Sequence, residues 1–72
     1  MTQNEMILAL LRTGKWISPL DALRECGTMK LATRISELRR KGYDIETRYV
    51  PYINRFGKKM YHNEYRLRGE AA

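Results

Sequence analysis

The chain has one cysteine and one histidine in 72 residues. A lone thiol closes no intramolecular disulfide, and neither Cys26 nor His62 has partners at metal-ligand spacing, so no disulfide framework and no bound metal is expected. Cys26 reads as a small hydrophobe on an apolar stripe and His62 as a surface residue of a strand. The longest apolar run, Met6 to Leu11, is far shorter than the roughly 20 residues that span a bilayer. No basic segment followed by an apolar stretch and a small-residue cleavage site marks a signal peptide, so a cytoplasmic location without membrane contact is the expectation. Catalytic machinery is missing as well: there is no carboxylate pair in a cleft, no nucleophile with a histidine to activate it and no phosphate-cradling glycine loop. The basic half offers no cluster of acidic or histidine ligands that would hold Mg²⁺ for a nuclease. A non-enzymatic protein with no catalytic residues and no cofactor is therefore expected.

What the chain does have is unevenly placed charge. Fourteen Lys and Arg against eight Asp and Glu give a net charge of +6. From Met1 to Gly27 three basic residues (Arg12, Lys15, Arg24) balance three acidic ones (Glu5, Asp21, Glu25), whereas from Thr28 onward there are eleven basic against five acidic residues. The whole excess belongs to the second part of the chain, and its natural partner is a polyanion. At this length one domain, residues 1–72, is expected, with a small core.

The stretch from Ser18 to Gly42 predicts two short helices meeting at a glycine turn. Ser18 is a good N-cap, Pro19 suits the first helical position, and Asp21 can complete a capping box. Leu20, Leu23 and Cys26, with Ala22 beside them, are expected on the buried face. Gly27 ends the helix, and Thr28 is expected to cap the next, over residues 29–41. In that second helix Leu31, Ile35 and Leu38 recur at i, i+4 and i+7, and Gly42 closes it. Lys30, Thr33, Arg34, Glu37, Arg40 and Lys41 fall away from the stripe and make a mostly basic face with interspersed hydrogen-bonding groups. Two helices joined by a short glycine turn form the helix-turn-helix arrangement, whose second helix can enter the major groove. An ordinary helical hairpin with a solvated charged face has the same residues, so the flanks must decide.

Ahead of this unit, Thr2 and Glu5 form a second capping-box pattern, and Met6, Ile7, Leu10 and Leu11 give a first helix ending at Gly14. Lys15, Trp16 and Ile17 form an extended link in which Trp16 is expected to plug the core. After Gly42 the period changes to alternation. Tyr43, Ile45, Thr47 and Tyr49 share one strand face, and a second strand runs from Met60 to Leu67. Glu46 and Arg48 can pair with Glu64 and Arg66 across the two strands. Between the strands a long loop is expected, interrupted by Pro51 and turning at Gly57, with Arg55, Lys58 and Lys59 beside Tyr52 and Phe56. Basic and aromatic residues on a hairpin tip suit a phosphate backbone or minor groove; alternatively the aromatics fold back and the lysines solvate the tip. Arg68 to Ala72 are expected to fray.

This order of elements resembles the winged helix-turn-helix superfamily, an α+β fold of three helices followed by a two-stranded β-hairpin wing, with Trp16 and Ile17 placed to add a short third strand. The pattern NEMILALLRTGKWISPLDALRECGTMKLATRISELRRKGYDIETR is similar to that of small phage- and prophage-encoded helix-turn-helix proteins, over about residues 3 to 67. Its most specific part is RISELRRKGYDI. Older phage repressors favour a small residue four positions before the turn glycine, and Leu23 in that place argues for the winged variant. The resemblance implies sequence-specific double-stranded DNA binding by a recognition helix (29–41) with a wing (43–67), as a transcriptional regulator or recombination accessory factor. Carried over residue by residue, the groove-facing positions are Lys30, Thr33, Arg34, Glu37 and Arg40, and the wing contacts are Arg55, Lys58 and Lys59. Arg34 has the alternative of a structural ion pair with Glu37 or Asp21. A single reading helix covers few base pairs, so a homodimer or several copies on DNA are expected. A protein-interaction module on the same winged fold is the competing reading.

Overall fold

The computed structural model describes residues 1–69. Three helices, α1 (Gln3–Leu11), α2 (Pro19–Cys26) and α3 (Leu31–Arg40), precede an antiparallel hairpin of β1 (Asp44–Ile53) and β2 (Lys59–Gly69). This is the expected α+β architecture. Both capping boxes form. The Glu5 N–H donates to Thr2 Oγ1 at 3.2 Å and the Asp21 N–H to Ser18 Oγ at 3.1 Å, while each carboxylate accepts the N–H of its own cap residue. Asp21 is held below its ordinary pKa of 3.8, chiefly by the backbone N–H of Ser18. Gly27 ends α2 at φ 69°, in the left-handed region where a side chain would be strained.

The core lies between α1, α3 and the base of the hairpin. Ile7 and Leu11 from α1 and Ile35 and Leu38 from α3 are fully buried, and Ile45 and Tyr65 close the core from the sheet. α2 contributes less than its leucines suggested. Leu20 and Leu23 are 63% and 43% exposed, and Ala22 is the α2 residue that is fully buried, with Cys26 packed against the cluster. The reason is geometric: steps of three residues rotate about 60° backward round a helix, so Leu20, Leu23 and Cys26 drift across its face, whereas Ala22 and Cys26 are four apart and stay aligned. Burial, with Glu25 nearby, pushes the Cys26 thiol above its ordinary 9.0, which makes it a poor nucleophile.

Three other expectations change. α3 begins at Leu31 rather than residue 29, because buried Thr28 spends its Oγ1 on the Lys30 N–H at 3.1 Å; Lys30 is the N-cap and makes no side-chain cap bond. The third strand shrinks to one antiparallel bridge, in which the Ile17 N–H donates to Tyr65 O at 2.7 Å and the Tyr65 N–H to Ile17 O at 2.9 Å. Since Ile17 is buried in the core, its extended neighbour Trp16 takes the opposite face of the sheet. Trp16 is not a core plug. Its ring is stacked by the guanidinium groups of Arg48 and Arg66, 4.4 and 4.7 Å from the ring centre.

The hairpin is longer and its loop shorter than expected. Pairing runs without interruption from Ile45↔Leu67 to Ile53↔Lys59, through Pro51↔Tyr61. Pro51 is tolerated by parity. Tyr65 turns its N–H and C=O away from β1 toward Ile17, so Thr47↔Tyr65 is a non-hydrogen-bonded pair, and so is every second pair from there, Pro51↔Tyr61 included. The hydrogen bond from the Asn54 N–H to Lys58 O, at 2.9 Å, has the alternate parity this requires. The expected cross-strand ion pairs form in this register, Arg48–Glu64 at 2.7 Å and Arg66–Glu46 at 3.2 Å. Arg68 and Gly69 do not fray: they belong to β2, and Arg68 lies 3.5 Å from Asp44. The rest of that expected tail, residues 70–72, lies outside the described residues.

Candidate nucleic-acid interface

Helix α3 turns Leu31, Ile35 and Leu38 inward, which at 100° per residue centres Thr33, Ser36 and Arg40 on its outer face. All three are exposed, as are Lys30 before the helix and Lys41 at its C-cap. Arg34 and Glu37 flank the buried stripe and are half-buried. Arg34 Nη1 lies 3.0 Å from Glu37 Oε1, an ion pair without hydrogen-bond alignment, while Asp21 pairs with Arg24 instead. Of the two structural partners open to Arg34, Glu37 is the one beside it. Lys30 stands at the positive end of the helix dipole with no carboxylate in the first turn. That placement is unfavourable in isolation and favours an incoming anion.

Sequence reasoning missed Arg39. Its Nη2 donates to Ile45 O at 2.6 Å and to Thr47 Oγ1 at 2.7 Å, its Nε reaches Ile45 O at 3.2 Å, and its guanidinium lies 5.9 Å from the Tyr65 ring centre. One side chain therefore ties the end of α3 to the base of the wing. Ser36 was missed too, although the same rotation that selects Thr33 and Arg40 places it between them.

On the wing, Arg55, Lys58 and Lys59 are exposed at or beside the turn, with Lys59 Nζ 5.8 Å from the Tyr61 ring. The turn itself is tightly bonded. Asn54 Oδ1 accepts the N–H groups of Phe56 and Lys58, both at 2.9 Å, and Gly57 adopts φ 77°. Tyr52 and Phe56 do not shield the tip. Phe56 is 85% exposed, and on the sheet beneath it Tyr49 and Tyr61 are 75% and 60% exposed.

Charge is sorted along the molecule. Arg48, Arg66 and Arg68 are each paired with a carboxylate at the base of the wing. Among the described residues Lys30, Arg40, Lys41, Arg55, Lys58 and Lys59 form no ion pair, so apart from Lys15 in the link after α1 the uncompensated lysines and the free arginines Arg40 and Arg55 gather at α3 and the wing tip. An open groove of about 430 Å³ between the start of α2 and the wing is lined by Leu20, Tyr52, His62 and Glu64. Its carboxylate is already engaged. Glu64 accepts from Arg48 and lies 3.1 Å from His62 Nε2, and the His62 bond first and Arg48 second hold it below its ordinary 4.5. No helix among the described residues is long and apolar enough to cross a membrane, and no cluster of three or more metal-ligating side chains occurs among them.

A helix-turn-helix whose second helix is outward-facing and basic, followed by a long basic hairpin, defines a winged helix-turn-helix protein. The family model described as winged helix-turn-helix domain matches residues 2–68, and the chain belongs to that family. The family suggests DNA binding in general. Comparison with curated proteins and with solved structures finds no match.

Proposed function

We propose that this protein binds double-stranded DNA sequence-specifically, with α3 in the major groove and the wing tip on the backbone or minor groove beside it. The observation that carries this reading is the sorting of charge: Arg48, Arg66 and Arg68 at the base of the wing are neutralised within the protein, whereas Lys30, Arg40 and Lys41 at α3 and Arg55, Lys58 and Lys59 at the tip have no carboxylate partner among the described residues. Lys30, Thr33 and Glu37 are the base readers, suited to a guanine edge, a thymine methyl and a cytosine amino group in that order. Arg34 holds Glu37 in place and offers a further donor. Arg40 and Lys41, near the end of the helix, and Arg55, Lys58 and Lys59 on the wing are phosphate contacts. The protein acts without catalysis or cofactor, in the cytoplasm, as a phage-type transcriptional regulator or recombination accessory factor. It binds as a homodimer or as several copies, because one reading helix spans few base pairs.

Selection of bound sequences from a random duplex pool tests this. The expected result is an enriched half-site pattern, with replacement of a reader costing about 1–3 kcal/mol on the preferred site and relaxing preference at one base pair. If about five phosphates are neutralised, log K against log salt has a slope of roughly −4.5. No enrichment, together with a flat salt dependence, transfers the fold to the second reading, a protein-interaction module. That alternative is favoured by one observation, the exposed apolar residues Tyr49, Ile53, Phe56 and Tyr61 on the outer wing.

A further inference from the structure

Phosphate contact at the wing tip leaves one residue without a use. Phe56 is the middle residue of the three-residue loop between Asn54 and Lys58, and its ring is almost wholly in solvent. Nothing about the turn requires an aromatic there. The loop is held by the Asn54 N–H to Lys58 O bond, by the Gly57 N–H to Asn54 O bond at 3.0 Å, and by Asn54 Oδ1, which fixes the Phe56 N–H itself. The ring is thus carried on an ordered turn rather than a loose loop, at the end of a hairpin about 30 Å long. Arg55, Lys58 and Lys59, all exposed, lie within three residues of it in the chain.

An exposed apolar ring on a turn that also carries exposed cations fits a surface that is anionic at its rim and apolar within. The minor groove of duplex DNA has that build: phosphates line both walls, and the stacked base pairs lie between them. Apolar side chains inserted there part a base step and kink the duplex. We propose that Phe56 is a minor-groove wedge that enters a base step and bends the bound DNA. This rests on the DNA-binding reading above and adds to it a deformation that phosphate contacts alone do not produce. Tyr49 and Tyr61 are unsuited to the task, since they lie on the sheet behind the tip and Tyr61 already carries Lys59 over its ring. The step beneath Phe56 is expected to be a pyrimidine–purine step, the kind that unstacks most readily.

The test uses the full chain and an enriched duplex of about two helical turns with a fluorescent donor and acceptor at its ends. Saturating wild-type protein should raise energy transfer between the ends, consistent with a kink of about 20–90°. Phe56→Ala should unfold at the wild-type temperature and still saturate the duplex, with affinity lowered by about tenfold or less, yet lose the rise in transfer. Phe56→Leu should keep most of it. Equal transfer for wild type and Phe56→Ala, both at saturation, overturns the wedge while leaving DNA binding intact. Failure of wild-type protein to bind any duplex at low salt overturns the DNA reading itself. Binding of wild type but not Phe56→Ala to anionic phosphatidylserine vesicles, with no difference in duplex bending, assigns the ring to a lipid surface and also overturns the wedge.

Discussion

The two ends of the hairpin are built from the same residue types and use them in opposite ways. At the base, Tyr65 is buried, Arg39 bridges to Ile45 and Thr47, and the Trp16 ring is covered by Arg48 and Arg66, each of which is also paired with a carboxylate. At the outer end Tyr49, Tyr61 and Phe56 stand in solvent, and Arg55 and Lys58 have no carboxylate partner among the described residues. Aromatic and basic side chains hold the wing to the body at one end and face outward at the other. Composition alone therefore says little about a residue's role in this fold. What decides is whether the side chain's interactions are satisfied inside the molecule.

The contrast is sharpest at the tyrosines. Tyr65→Ala should cost about 3–5 kcal/mol, because it opens a cavity between the sheet and α1, and in a domain this small that threatens folding. Tyr61→Ala, on the same strand, should change stability by no more than about 0.5 kcal/mol. Urea unfolding of both variants measures the gap, and equal losses would erase the distinction between base and tip.

Arginines give the next largest effect. Arg39→Ala removes charge-assisted bonds to the base of the wing and should cost about 1.5–3 kcal/mol in the same assay. Arg40→Ala, the neighbouring exposed residue, should leave stability nearly unchanged and weaken binding to all duplexes alike. A smaller effect, confined to the tip, comes from replacing Arg55, Lys58 and Lys59 together by alanine. Thermal unfolding should shift little, while the salt slope of DNA binding should fall by about one unit for each phosphate no longer neutralised. Sequence preference should survive, and an unchanged slope would free the tip for a protein partner.

The smallest expected effect is a pH dependence belonging to the base. Glu64 has a carboxyl pKa below the ordinary 4.5 in the folded protein, so the stability it contributes is present above that value and is lost as pH falls through the lower, folded one. Glu64→Gln should flatten the acid limb of stability against pH relative to wild type. An unaltered acid limb would mean that the His62 and Arg48 interactions add nothing to the fold.

Much of this arrangement was legible in the residues. Thr2 with Glu5, Ser18 with Asp21, and the Leu31/Ile35/Leu38 stripe announced the helices, because caps and four-residue spacing are local signals. Alternation announced the strands, and opposite charges at 46, 48, 64 and 66 were consistent with a register that the structure then supplied. Trp16 was misplaced because size suggested burial, whereas strand parity with Ile17 sent it to the other face, where two guanidinium groups covered it. Leu20 and Leu23 failed for a related reason: α2 approaches the core through Ala22, and a small residue carries little signal. Arg39 was hidden by its neighbours in a basic run, since only the fold shows that Ile45 and Thr47 lie within its reach. The outer face of α3, with Thr33 and Arg40 on it, was legible from the same spacing that set its buried stripe.

Pro51 matters beyond the ladder it sits in. An alternating, aromatic-rich hairpin would ordinarily offer its open edge as a template for a neighbouring molecule's strand, the first step toward fibrils. On that edge of β1 the outward-facing backbone groups come from Thr47, Tyr49, Pro51 and Ile53, and the ring at 51 takes away a donor in the middle of the row. A protein that must extend a sticky arm away from its own core thus blunts the arm's edge with one residue, at no loss to the pairing within it.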